Sequence, residues 1–235
     1  MASKNGILGL LVLTSLVPAR AQELPWTVIV NGTLTTSSQI YIFPDASDPF
    51  LRSEYTDLTS FFGYGMEVRY QFPETHVAVG ISADYSRATS QQPLSSLIPE
   101  SIPVVDGYRA LTIEGTGYFI IPFSGSTFGV FMGGGVGGYF GKRDYAIGDT
   151  QAPLISWKPG FGIHVLAGVS VHFTERLSVV GEMKFRDLQF ESTNQFRSSR
   201  VTYGGIEITG INRAPFDSNV HTDGITFQLG VGLSL

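Results

Sequence analysis

Bulky apolar side chains recur at every second position through most of this chain. After residue 22 no apolar run approaches the roughly 20 residues that a membrane-spanning helix needs. A period of two belongs to a strand, whose successive side chains leave opposite faces. The pattern is cleanest at the chain's end. There Ile225, Phe227, Leu229, Val231, Leu233 and Leu235 share one face, and Gly224, Thr226, Gln228, Gly230, Gly232 and Ser234 share the other. Leu177, Val179, Met183 and Phe185 alternate in the same way with Ser178, Val180, Glu182, Lys184 and Arg186. Further alternating segments lie at 161–173, 128–140, 111–121, 77–86 and 62–72. A first, weaker one carries Trp26, Val28, Val30 and Leu34, with Ile40 and Ile42 beyond, against Thr27, Ile29, Asn31, Thr33 and Thr35.

These eight segments predict an all-β chain. Their connections come in two lengths that strictly alternate. Residues 73–75, 122–126 and 174–176 read as tight turns, and 44–57, 90–106, 142–156 and 191–220 as long loops. Short turns at one end and long loops at the other are the pattern of an eight-stranded antiparallel up-and-down transmembrane β-barrel, with both termini on the short-turn side.

Period alone does not say which face meets the core, because a soluble barrel alternates too. Here the polar face is mostly Gly, Ser and Thr, and charged residues make up only 15% of the chain, a poor coat for a protein in water. The apolar face carries more bulk than eight strands can enclose. Aromatic residues also gather in two bands. Trp26, Tyr70, Phe72, Phe119, Phe128 and Phe173 lie by the short turns, and Phe62, Tyr64, Tyr85, Phe140, Phe161 and Phe185 lie toward the long loops. Two aromatic bands suit the two interfaces of a bilayer. The apolar face is therefore expected in lipid. By parity, Glu67, Arg69, Asp84, Glu114, Glu182, Lys184 and Arg186 all point into the lumen. Opposite charges confined there should pair, making a structural charge network that plugs the barrel.

Residues 1–21 read as a cleavable export signal. Lys4 is the basic start, residues 7–17 form a short apolar core, and Ala19-Arg20-Ala21 is a small-x-small cleavage site, leaving 22–235 as one barrel domain. Signal, eight strands, alternating connections and the final Gly230-Val231-Gly232-Leu233-Ser234-Leu235 together resemble the OmpA/OmpX-type outer-membrane β-barrel families, over residues 22–235. The resemblance implies residence in the bacterial outer membrane, contact with its lipid and lipopolysaccharide, and insertion by the barrel-assembly machinery. It also implies that the last strand, with Phe227, Leu229, Val231, Leu233 and Leu235, serves as the assembly signal. Those families usually end on an aromatic residue, whereas this chain ends on Leu235.

Chemistry-bearing patterns are weak. Gly133-x-Gly135-x-x-Gly138 has dinucleotide-binding spacing but lies inside a strand, so no helix N-terminus would meet a pyrophosphate and no cofactor is expected. His164 and His172 sit eight residues apart on one strand. At the usual rise that is roughly 26 Å, too far to share a metal. No cysteine is present, which removes thiol catalysis and thiolate metal sites. Asp217, Ser218 and His221, with Ser198 and Ser199, are the nearest approach to a hydrolytic set, without a nucleophile motif around them. A net charge of −5 disfavours nucleic acid as a partner. The expected role is non-enzymatic: envelope structure, or surface interaction and adhesion through the long loops with an extracellular ligand. A narrow channel for small solutes is the alternative, and a lipid-modifying enzyme the third reading.

Overall fold

The computed structural model describes residues 25–93, 102–122, 127–222 and 224–235. The expected export signal (1–21) lies outside the described residues. In chain order the elements are β1 (Trp26–Tyr41), a single helical turn α1 (Pro49–Arg52), β2 (Tyr55–Gln71), β3 (Val77–Pro93), β4 (Pro103–Ile120), β5 (Phe128–Ile147), β6 (Thr150–Ala152) and β7 (Leu154–Lys158). They continue with β8 (Gly160–His172), β9 (Leu177–Arg186), β10 (Leu188–Asn194), β11 (Arg200–Tyr203), β12 (Ile206–Thr209), β13 (Phe216–Thr222) and β14 (Ile225–Ser234).

Eight of these make the wall, each paired antiparallel with its neighbours in the order β1–β2–β3–β4–β5–β8–β9–β14. A ladder from Thr27↔Ser234 to Thr35↔Thr226 joins β14 back to β1. This closure leaves no sheet edge facing lipid, the condition for spanning a bilayer with strands. Strand faces follow the alternation. Val30, Ile81, Val136, Ile163 and Leu229 are each 63–68% exposed on the outside. Side chains of that kind, ringed by exposed Trp26, Phe72, Phe119, Phe128 and Phe173 at one end and Phe62, Tyr64 and Phe161 at the other, form a hydrocarbon-facing belt.

The structure corrects the sequence reading in two respects. Ile40, expected on the lipid face, is fully buried. Inward positions on β1 run Ile29, Asn31, Thr33, Thr35 and then change parity to Ser38 and Ile40. Its partner β2 changes with it, between Phe61 and Leu58, at Ser60, whose φ of +34° breaks the pleat while pairing continues from Thr35↔Phe61 to Ser37↔Thr59. The second correction concerns the long connections, two of which, 142–156 and 191–220, are largely strand. β5 runs on to Ile147 and hairpins into β6. β10 and β13 pair with each other from Leu188↔Thr222 to Asn194↔Phe216, extending the wall above β9 and β14.

One seam interrupts this extension. β8 leaves β5 at Tyr139↔Gly160, and β7 pairs with β10 instead. Upper β5 is held across the seam by side chains of β10. The Arg143 amide donates to Ser192 Oγ (3.2 Å), and Asn194 Nδ2 donates to the Arg143 carbonyl (3.2 Å).

Candidate functional site

Among the described residues the lumen is where charged side chains are concentrated out of water, and β4 shows its organisation. Its inward residues, climbing from the short-turn end, are Tyr118, Thr116, Glu114, Thr112, Ala110, Tyr108 and Asp106. Apolar and ionic levels therefore alternate along a single strand, and the other strands complete each level.

At the short-turn end Ile29, Ala78, Tyr118, Phe131, Leu166 and Val180 form an apolar layer. Arg69 lies on it, its guanidinium 3.8 Å from the Tyr118 ring centroid and 4.8 Å from that of Phe131. From there Arg69 Nε donates to Glu67 Oε1 (2.9 Å) and Nη2 to Glu182 Oε1 (2.8 Å), while the Tyr118 hydroxyl donates to Glu67 (2.7 Å). Above this, Lys184 Nζ donates to Glu114 Oε2 (2.8 Å). Arg186 bridges Glu114 (2.9 Å) and Asp84 (2.6 Å). His164 closes this group, its Nε2 2.9 Å from Thr116 Oγ1 and its Nδ1 3.8 Å from Glu114. The structure thus places all seven parity-assigned charges inside, as two groups: Glu67, Arg69 and Glu182, and Asp84, Glu114, Lys184 and Arg186. Glycines make the room. A Cβ at Gly65 would overlap Asp84, and one at Gly80 would stand 2.6 Å from Glu67 Oε1.

A second apolar layer follows, built from Ile40, Leu58, Phe61, Ala88, Tyr108, Ala110, Tyr139, Leu188, Phe190 and Val220. Beyond it lies an ion pair that sequence reasoning missed. Arg143 grips Asp106 through Nε (2.7 Å) and Nη2 (2.6 Å) and donates from Nη1 to Ser218 Oγ (3.1 Å). Both residues stood at the margins of presumed loops. Carrying the parity of β4 and β5 a few residues further would have turned both inward. A last apolar layer of Ile102, Ile147, Ala152, Phe196 and Val201 lies at the long-loop end. Between it and the Arg143 pair is a cavity of about 530 Å³, bordered by Ile42, Val104, Tyr145, Ile211 and Phe216. Burial pushes the Tyr145 phenol there above its usual pKa.

The hydrolytic set does not assemble. Ser218 is fully buried and donates to the Ser192 carbonyl (3.2 Å), whereas Asp217 faces outward and His221 packs against Tyr41 with centroids 4.8 Å apart. Asp217 and His221 thus leave β13 on its outer face and Ser218 on its inner face. Among the described residues, no three His, Asp or Glu side chains are grouped to hold a metal ion. His172 is exposed at the short-turn end, far from buried His164.

No protein-family model matches the sequence, and comparison with curated proteins finds no match. Among solved structures, the chain is similar to the outer membrane protein OprG from Pseudomonas aeruginosa. Identity is 16%, the alignment covers 89% of this chain and 95% of that one, and the TM-score is 0.59. Neisserial surface protein A aligns more loosely, at 10% identity, 89% and 97% coverage and a TM-score of 0.47. So does the outer membrane protease OmpT from Escherichia coli, at 8% identity, 90% and 97% coverage and 0.48. At such identities the likeness is one of fold.

Proposed function

We propose, from the premise that this chain has the fold of the bacterial outer-membrane β-barrels, that it is a sealed, non-enzymatic barrel of the outer membrane whose work is done at its long-loop end. The observation that carries this reading is the layered filling of the lumen along β4. Buried opposite charges in contact, sandwiched between apolar layers, support a lumen closed to ions and solutes. A rigid plugged wall is suited to holding a surface in a fixed geometry, so surface interaction is the role we favour. Planar-bilayer recording of the purified protein tests it. The expected result is near silence, and large steady conductance from the wild type overturns the reading.

A second reading is favoured by one observation, the 530 Å³ outer cavity with its mainly apolar border. A space of this size and lining suits capture of a small apolar molecule with one polar group near Arg143. Ala214→Trp, which fills the cavity mouth, should abolish binding of a solvatochromic apolar dye. Unchanged dye binding removes this reading and leaves the first intact.

A further inference from the structure

Outside the lumen, charge is distributed unevenly over the wall. On β3, β4 and β5, residues Arg87, Arg109 and Lys142 are direct cross-strand partners, Arg87↔Arg109 and Arg109↔Lys142. All three point outward. Paired strands lie roughly 4.8 Å apart, so three cations stand in one row about 10 Å long. Like charges directly opposite one another on a sheet are destabilising. One carboxylate answers them: Asp144, 2.6 Å from Arg109. Among the described residues neither Arg87 nor Lys142 has an ion-pair partner, which leaves a positive charge without an anion at each end of the row, on either side of Arg109.

The row directly below, one step toward the bilayer centre, is Tyr85, Leu111 and Phe140, again in register. Trp157 packs on Phe140 with centroids 6.1 Å apart. Because the β5–β8 ladder ends at Tyr139↔Gly160, the wall is recessed here. Leu111, Phe140, Leu154 and Trp157 border an open groove of about 300 Å³ with Arg109 and Lys142 on its rim. Among the described residues the short-turn end has no counterpart, and its turns carry Arg176 beside Glu175 and, elsewhere, Glu74.

We propose that this groove binds a phosphorylated glycolipid of the outer leaflet, of the lipid A class. Phosphate oxygens meet Arg87 and Lys142, on either side of the Arg109–Asp144 pair, and an acyl chain lies along Leu111, Phe140 and Trp157. A cationic row set two residues above the apolar row of Tyr85, Leu111 and Phe140, found among the described residues only at the long-loop end, matches an amphiphile whose anionic group sits at the interface and whose chain runs down the wall. A soluble anion would use the row and leave the groove without purpose. The proposal rests on the long connections facing outward, which surface proteolysis tests separately.

The test uses the full barrel in detergent micelles, titrated with bis-phosphorylated lipid A and followed by native mass spectrometry. Wild type should bind about tenfold more tightly than Arg87→Ser/Lys142→Ser, the size expected from losing two partly exposed ionic contacts. Lipid A stripped of its phosphates should bind wild type no better than intact lipid A binds that variant. Leu154→Ser/Trp157→Ser, which keeps the charges, should also weaken binding, and Arg176→Ser should bind as wild type does. Heat-modifiable gel migration confirms that each variant is folded. Equal affinity of wild type and Arg87→Ser/Lys142→Ser overturns the site. Displacement by millimolar inorganic phosphate, or equal binding of phosphatidylglycerol, overturns its assignment to a phosphorylated glycolipid.

Discussion

Arg69 shows how much a single lumen residue can hold. It stacks on Tyr118 and Phe131 and donates to two carboxylates on strands that are not neighbours in the wall, Glu67 on β2 and Glu182 on β9. Removing one partner of a buried ion pair leaves an uncompensated charge, at a cost of about 3–5 kcal/mol. Arg69→Met is therefore expected to lower stability by about 3 kcal/mol in urea unfolding of the lipid-reconstituted barrel. Adding Glu67→Gln and Glu182→Gln should restore most of that loss, because neutral amides need no cation. If Arg69→Met alone costs less than about 0.5 kcal/mol, the pairing is not what stabilises this level. Glu114 is the corresponding hub above, held by Lys184 and Arg186, and Lys184→Ala should admit brief channel openings where the wild type has none.

At the scale of the element, β8 separates lipid from lumen within two residues. Val165 is 57% exposed on the outer face, whereas the next residue, Leu166, belongs to the apolar layer inside. An arginine near the bilayer midplane costs about 2–4 kcal/mol. Val165→Arg should lower stability by that amount, and equal tolerance of arginine at Val165 and at exposed loop positions would contradict the lipid face. Gly168 on the same strand is governed by space, since a Cβ there meets the Phe131 ring. Upper β5 depends instead on borrowed partners. Where the ladder to β8 has stopped, Ser192 and Asn194 supply the hydrogen bonds a neighbouring strand would give. Ser192→Ala removes the acceptor of the Arg143 amide, so hydrogen exchange at that amide should speed up while amides lower on β5 keep their protection. Uniform protection along β5 in the variant would mean the seam is closed by other means.

For the whole molecule, the asymmetry of its two ends sets the orientation. The short-turn end has tight turns at residues 73–76 and 173–176, and the other end carries the β5–β6 hairpin, the β10–β13 extension and the separate β11–β12 hairpin. A barrel assembles more easily by passing short turns than long segments across the membrane, so the long segments should face outside. Because residues 188–194 and 216–222 are paired strands, protease access between them narrows to the stretch containing Arg197, Arg200 and Arg213. Trypsin on intact cells should cut there and leave Arg176 untouched. Cleavage at Arg176 alone would reverse the orientation.

How much of this was legible in the residues follows from what is local. Parity is local: the pleat sends neighbours to opposite sides whatever lies across the barrel. The order of residues alone therefore determined the all-β class, the eight wall strands, the alternation of short and long connections, and the inward direction of Glu67, Arg69, Asp84, Glu114, Glu182, Lys184 and Arg186. Parity holds only while the pleat is unbroken, which is why Ile40, beyond the change at Ser60, was assigned to the wrong face. Other features belonged to the closed structure. Which charges meet depends on strand tilt and on the register of each pairing, quantities that exist only once the wall has closed. Closure brings Arg69 of β2 to Glu182 of β9, and Arg186 of β9 to both Asp84 of β3 and Glu114 of β4. It likewise brought Arg87, Arg109 and Lys142, scattered over 56 positions of the chain, into one row on the outer wall, because only hydrogen-bonded register makes distant residues neighbours.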